Sequence, residues 1–414
     1  MFRCLDFSNC ESSGIHFAMK RGMIPLRNVT CTIWTGSGIT AGELTFIAEN
    51  SNTLTSVDLR NCWNIDGEKA TSLLSSCVNL TSLRVDGSNI NMDSMCMAVP
   101  KFTSLKYFSF DGRKCGHPSE SEVQEVDFNN RYFLRNITQF WKGITEICIK
   151  SQSINTQSAE MLFQIPSLVK IDLQKNDLVH SESMWVELIA NKSIREVNLS
   201  RNKIGDDAVC YITNKSNITH LNVSYCDIGD PSIFCILLNN KITHLDVSGN
   251  NKITDNAWYV DVPQNRSLVH LNVSNNKKLS EAALLNMSYS SNLKHLNISG
   301  NKLMINQKSI IAVLNQTKQL REFVAQHCSI NSLHLSVPVA TNSGIHTFCL
   351  GFNDITTIPD LILNLPNLTK LDLQSNDLHN EDVGKLFSKT SLKDLNLSYN
   401  LFLVRFMLKR ASRK

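Results

Sequence analysis

The sequence predicts an α/β solenoid: a curved stack of about 16–17 repeats, with a parallel β-sheet on the concave face and mostly helices on the convex face. Three observations predict it. An apolar frame recurs along the chain, as in "LTSVDLRNC", where Leu54, Val57 and Leu59 hold relative positions 1, 4 and 6. Position 9 of that frame is repeatedly Asn or Cys. The second half of many copies switches from strand-like alternation to helical spacing.

The frame starts at Phe2, Val29, Leu54, Leu80, Leu105, Ile144, Leu168, Ile194, Ile218, Ile242, Leu268, Leu293, Leu320, Ile345, Leu368 and Leu392. Neighbouring starts lie 23 to 27 residues apart, except for 39 between Leu105 and Ile144. The irregular stretch 111–143 reads either as an insertion or, slightly preferred, as a degenerate copy at "VQEVDFNNR" beginning at Val123. Alternation of apolar and polar residues around positions 4 and 6 makes a short half-buried strand. Position 9 reads Cys10, Cys62, Asn176, Asn202, Cys226, Asn250, Asn276, Asn301, Cys328, Asn353, Asn376 and Asn400. An Asn amide there has donors and an acceptor for the turn backbone, and a thiol fits as a small, weakly polar group. The cysteines at this position therefore read as structural and inert. "IDGEKATSLLSSC", "IGDDAVCYITN", "LSEAALLNMSYS" and "INQKSIIAVLNQ" each begin at a polar capping residue and place apolar groups three and four apart, which predicts helices.

Spacing and consensus together resemble the leucine-rich-repeat superfamily over nearly the whole chain. A strand plus a convex helix at a period near 25 looks most like its cysteine-containing or ribonuclease-inhibitor-like branch. "KITDNAW" resembles the repeats of F-box proteins, and "NKIGDDAV" those of receptors. "NDITTIPDLILNLPNL" at 353–368 looks like a shorter type with less convex helix. The expected organisation is a single solenoid over 1–414 with a basic C-terminal end at 401–414. A first strand starting at Phe2 without a polar cap leads to the expectation that the protein continues upstream, or that a partner covers the open core.

Composition narrows the function. The chain has 42% hydrophobic and 19% charged residues and a net charge of +4, too mild to argue for nucleic acid or an anionic membrane. No run reaches the roughly 18 apolar residues of a membrane span. Thirteen cysteines, an odd number without a CxxC, predict a reducing compartment, cytoplasmic with nuclear possible. Fifteen Asn-x-Ser/Thr sequons are discounted because several, such as Asn222-Val-Ser and Asn272-Val-Ser, belong to the repeat consensus. No phosphate loop, HExxH or GxSxG occurs. "GSGITAG" at 36–42 reads as turn glycine, and a Cys–His dyad is set aside. No catalytic residue, metal or cofactor is expected.

What remains is a surface pattern. Position 3 holds His220, His244, His270 and His295, and position 5 holds Asn222, Asp246, Asn272 and Asn297. Both positions point out of the core on the concave side, so each set forms a ladder at about 4.8 Å per rung. Two readings stand: duplicated letters that serve rigidity, slightly favoured, and a polar strip that binds a protein. Imidazoles spaced for stacking converge poorly on one metal ion. Charging neighbouring histidines costs repulsion, so the ladder is expected neutral near pH 7, and a partner over it is expected to respond to pH between about 5.5 and 7. Tyr225, with Tyr107, Phe352 and Tyr399, supplies candidate aromatic anchors. The expected function is non-catalytic protein recognition. The resemblance implies the repeat region of an intracellular receptor of the nucleotide-binding-domain type, with an innate-immunity setting. Its alternatives are the substrate-recognition arm of an F-box ubiquitin ligase adaptor, or a free-standing effector.

Overall fold

The computed structural model describes residues 4–10, 28–36, 39, 44–90, 92–112, 131–259, 265–290, 292–303, 307–331, 344–358, 360–386 and 389–401. The readings of a strand start at Phe2, a degenerate copy from Val123, most of the glycine-rich 36–42 and the basic end beyond Leu401 fall largely outside these residues. The chain divides into two compact units, Met1–Lys203 with Lys215–Ile218, and Ile204–Asn214 with Thr219–Lys414.

Each unit is an α/β solenoid whose strands follow chain order, all parallel. Unit one holds β1 Cys4–Asp6, β2 Cys31–Ile33, β3 Ser56–Asp58, β4 Ser82–Arg84, β5 Tyr107–Asp111, β6 Glu146–Lys150, β7 Lys170–Asp172 and β8 Glu196–Asn198. Unit two holds β9 His220–Asn222, β10 His244–Asp246, β11 His270–Asn272, β12 His295–Asn297, β13 Glu322–Val324, β14 Thr347–Cys349, β15 Lys370–Asp372 and β16 Asp394–Asn396. All sixteen begin at position 3 of the sequence frame. Convex helices include Gly67–Leu74, Gly205–Lys215, Glu281–Met287 and Gln307–Gln316, where helical spacing predicted them. "KITDNAW" forms only a 3-10 turn, Asp255–Trp258, and the shorter repeat near 353–368 carries a four-residue helix, Asp360–Leu363.

The long repeat joins two strands that are neighbours in the sheet. β5 pairs directly with β6, Tyr107 opposite Glu146, which leaves no rung at that point in the sheet for a degenerate strand. The convex helix of this repeat, Arg131–Phe140, packs between the helices Met92–Ala98 and Thr156–Phe163. Phe108, Phe133 and Trp141 fill the space beneath it, with ring centroids 5.0–6.3 Å apart. Trp141 Nε1 donates to Val99 O at 3.1 Å, so the buried indole keeps a partner.

Position 9 joins the rungs. Asn250 Nδ2 donates to Val247 O in its own rung and Val223 O in the previous one, both at 2.9 Å. Its Oδ1 accepts from Cys226 N at 2.9 Å and Ile228 N at 3.3 Å. Asn176 does the same toward Ile149, Leu173, Gln152 and Ile154. Cysteine is the thinner version: Cys62 Sγ reaches Trp34 O at 3.0 Å and Cys328 Sγ reaches Gln326 O at 3.3 Å. Burial pushes the Cys328 thiol up to about 11, which keeps it protonated and inert. Cys10 departs from this pattern, since it is exposed.

A second chain of bonds runs along the convex side of unit two. Asp206 Oδ1 accepts from Gly229 N at 2.8 Å, Asp230 Oδ1 from Thr254 N at 2.7 Å, and Asp255 Oδ1 from Ser280 N at 2.7 Å. Each carboxylate thus supports the start of the next convex segment, where backbone N–H groups lack helical partners. Nearby, Cys210 and Cys235 form a disulfide between the helices Gly205–Lys215 and Asp230–Leu238. The reducing-compartment expectation did not anticipate this pair. Its cysteines lie outside position 9, on neighbouring helices that face each other only once the repeats stack.

Two outcomes follow for stability. Asn250→Ala strands two N–H groups and two carbonyls in the core and is expected to cost about 3–5 kcal/mol in denaturant unfolding, whereas Asn250→Cys costs less. A loss below about 1 kcal/mol contradicts the bridging role. Alkylation under non-reducing conditions should leave Cys210 and Cys235 unmodified, and their double serine variant should lose about 2–4 kcal/mol. Full alkylation of the native chain contradicts the staple.

Candidate functional site

Parallel pairing in register places His244 opposite both His220 and His270, and His270 opposite His295. The four imidazoles form a continuous stack, with centroid separations of 3.9, 4.0 and 3.9 Å and interplanar angles of 17°, 17° and 7°. Glu322 continues the row on β13, and His295 Nδ1 lies 2.9 Å from its Oε2. A carboxylate only accepts, so Nδ1 of His295 carries a proton and donates it to Glu322. At His244, Nδ1 lies 2.9 Å from Thr243 Oγ1, whose own proton points to Thr219 O at 3.2 Å. That hydroxyl therefore accepts from Nδ1–H. Thr219 Oγ1 stands at the same 2.9 Å from His220 Nδ1.

His270, inside the column, favours the neutral ring. Burial, then the neighbouring His295 and His244, hold the His270 pKa down to about 4 from its ordinary 6.5. Stacked planes also aim their in-plane lone pairs alongside one another. Among the described residues no group of three or more His, Cys, Asp or Glu is placed to hold a metal ion.

Position 5 has a local duty that the sequence reading missed. The side-chain oxygens of Asn222, Asp246, Asn272 and Asn297 accept from the backbone N–H two residues on, at Ser224, Ser248, Ser274 and Ser299, at 2.9–3.1 Å. Each closes an Asx-turn as the strand ends. The signal was present in the repeated Asn-x-Ser, which makes these sequons products of turn chemistry. Asn272 Nδ2 additionally donates to Asp246 Oδ2 at 2.9 Å, tying two rungs. The row is therefore committed to structure on one oxygen of each side chain.

Tyr225 stands at position 8 with φ +54° and 43% of its surface exposed. Its ring lies where a Cβ on Gly249 would be, 2.4 Å away, so glycine in the next rung makes the seat for the tyrosine. Elsewhere in unit two, Phe352 stacks on His327 at 4.4 Å, and Tyr399 is exposed. In unit one the Arg84 guanidinium lies 4.7 Å over the Tyr107 ring. Position 3 there carries the ion pair Lys170–Glu196, and position 7 contributes Lys150 to a pair with Asp172. No histidine enters that row.

The repeat frame, the bridging Asn row and the stacked open face define a class, an α/β solenoid built as an interaction scaffold. Five stretches of the chain are leucine-rich repeats. A family model described as Leucine Rich repeat matches residues 190–209, 214–237, 238–257, 289–304 and 364–387. Among solved structures, the yeast complex of Rad7 and Elc1 is similar at 14% identity and a TM-score of 0.52, over 92% of this chain and 86% of that one. A TDR receptor shares 15% identity at a TM-score of 0.41, over 92% of this chain and 66% of the receptor's. An internalin, inlF, from Listeria monocytogenes shares 16% at 0.34, over 99% of this chain and 85% of the internalin's. No curated protein matches the chain by sequence. The likeness to Rad7 is one of fold. Among the described residues no helix is long and apolar enough to cross a membrane.

The column has a measurable acid response. An unfolded chain takes up a proton at His270 near 6.5, while the folded chain resists until about 4. Stability carried by the neutral ring is thus present above 6.5 and is lost as pH falls toward 4. Denaturation midpoints should fall more steeply over that window in the native chain than in His270→Gln. Parallel curves contradict the shift.

Proposed function

We propose that the chain recognises a protein partner on the concave face of unit two, over His220, His244, His270 and His295, Asn222, Asp246, Asn272 and Asn297, with Tyr225 at the margin. The observation that supports this reading most is the unbroken four-ring stack. It presents half-buried, hydrogen-bonding groups at a fixed spacing, on a repeat architecture whose extended inner surfaces suit protein binding. Rigid rings in register lose little conformational freedom on binding. The reading assigns no catalytic residue, cofactor, nucleic acid or membrane to the strip.

The finer setting in this proposal is the repeat region of an intracellular receptor of the nucleotide-binding-domain type, supported by the "NKIGDDAV" phrase and its convex helix Gly205–Lys215. Reading the coding sequence upstream of Met1 separates the settings. A phosphate loop supports the receptor, and an F-box supports the ligase arm. A cytoplasmic or nuclear location belongs to the same proposal, and the Cys210–Cys235 disulfide weighs against it, because such bonds persist mainly in oxidising compartments.

Affinity capture from the source cell, with the intact chain and a variant carrying alanine at all four histidines, tests the strip. The expected result is a protein retained by the native chain and lost from the variant, with unchanged circular dichroism. Retention by both contradicts the reading.

A further inference from the structure

We propose that the occupant of this strip is an extended acidic peptide segment, laid along the histidine column across the strands and gripped more tightly as the medium acidifies. The proposal rests on the strip reading above and adds the partner's chemistry and its control.

Charge complementarity carries it. On β9–β12 and their turns, positions 3, 5, 7 and 8 hold the four histidines, then Asn222, Asp246, Asn272 and Asn297, then Ser224, Ser248, Ser274 and Ser299, then Tyr225, Gly249, Asn275 and Gly300. Histidine is the one residue type among them able to carry positive charge. The other charged groups on these strands and on β13 are Asp246, Glu322, and Lys294 and Arg321 at position 2. Arg321 Nη1 donates to Gly344 O at 3.1 Å. Two carboxylates and two cations balance while the rings are neutral. Each imidazolium then makes the strip positive by one.

Geometry sets the pattern. Neighbouring charges at ring separations of 3.9–4.0 Å repel, so charge settles on alternate rungs. His295 has the Glu322 carboxylate at 2.9 Å, and the alternate partner of His295 is His244, with His270 as the neutral spacer between them. His244 and His295 stand roughly 8 Å apart, two rung spacings. Carboxylates at i and i+2 of an extended peptide point the same way about 7 Å apart, close to that span. A helical segment presents its i and i+4 groups at about 6 Å and winds away from a straight column.

Fluorescence anisotropy with the intact chain tests the proposal. The probes are a labelled alternating Glu-Thr octapeptide, the Gln-Thr octapeptide and a short oligothymidylate. The Glu-Thr peptide is expected to bind about tenfold or more tightly at pH about 5.5 than at about 7.5, with the Gln-Thr peptide unchanged. H244Q/H295Q is expected to remove that gain with circular dichroism unaltered. Asp246→Asn, which deletes a competing carboxylate, is expected to tighten the peptide at either pH. Affinity flat with pH, a gain that survives in H244Q/H295Q, weakening in Asp246→Asn, or equal capture of oligothymidylate overturns the proposal. Failure of the octapeptide while the four-alanine variant still loses its captured protein overturns this proposal alone. If the four-alanine variant also keeps its protein, the strip reading falls with it.

Discussion

The structure depends on one buried side chain per rung. The Asn at position 9 closes bonds to two carbonyls and two backbone amides, split between its own repeat and the previous one. A turn in the core of a solenoid has no water to satisfy it, and an unpaired buried amide costs about as much as a lost hydrogen bond. The amide solves that locally and at the same moment fixes the phase of one repeat against the next. Cysteine at the same place keeps a contact to a carbonyl but gives up the acceptor, so register there leans more on apolar packing.

Fixed phase has a chemical result. When every repeat starts at the same step, identical letters at position 3 become a stack, and the rings close to 3.9–4.0 Å, inside the strand spacing of about 4.8 Å. Imidazoles held this way are half-buried and flanked by each other, and three of them meet a partner at Nδ1: Thr219 at His220, Thr243 at His244 and Glu322 at His295. For His270, neutrality follows from burial and the neighbouring rings. Poor convergence on a metal follows from parallel planes. The surface is an outcome of the ladder beneath it and needs no special backbone of its own.

Much of this was legible in the letters. Sixteen frame starts located sixteen strands, because positions 1, 4, 6 and 9 are dictated by a single repeating geometry. Less was legible where neighbours in space are distant in sequence. The Cys210–Cys235 pair lies off the consensus, on convex helices whose facing depends on stacking. That β5 and β6 are direct neighbours could not be read from frame starts 39 residues apart. The fit of Tyr225 against Gly249 links two letters that mean little alone. The Asx-turns at position 5 could have been read from the Asn-x-Ser recurrence, which as a product of the repeat consensus served only to discount the sequons.

Recognition on the open face of unit two is the central claim, and histidine chemistry reports on it directly. Carbethoxylation of the chain by diethyl pyrocarbonate, mapped by mass spectrometry with and without the captured partner, separates the column from the exposed His180 and His379. The partner is expected to suppress labelling at His220, His244, His270 and His295 and to leave His180 and His379 reactive. Unchanged labelling of the column, with protection elsewhere, would contradict it.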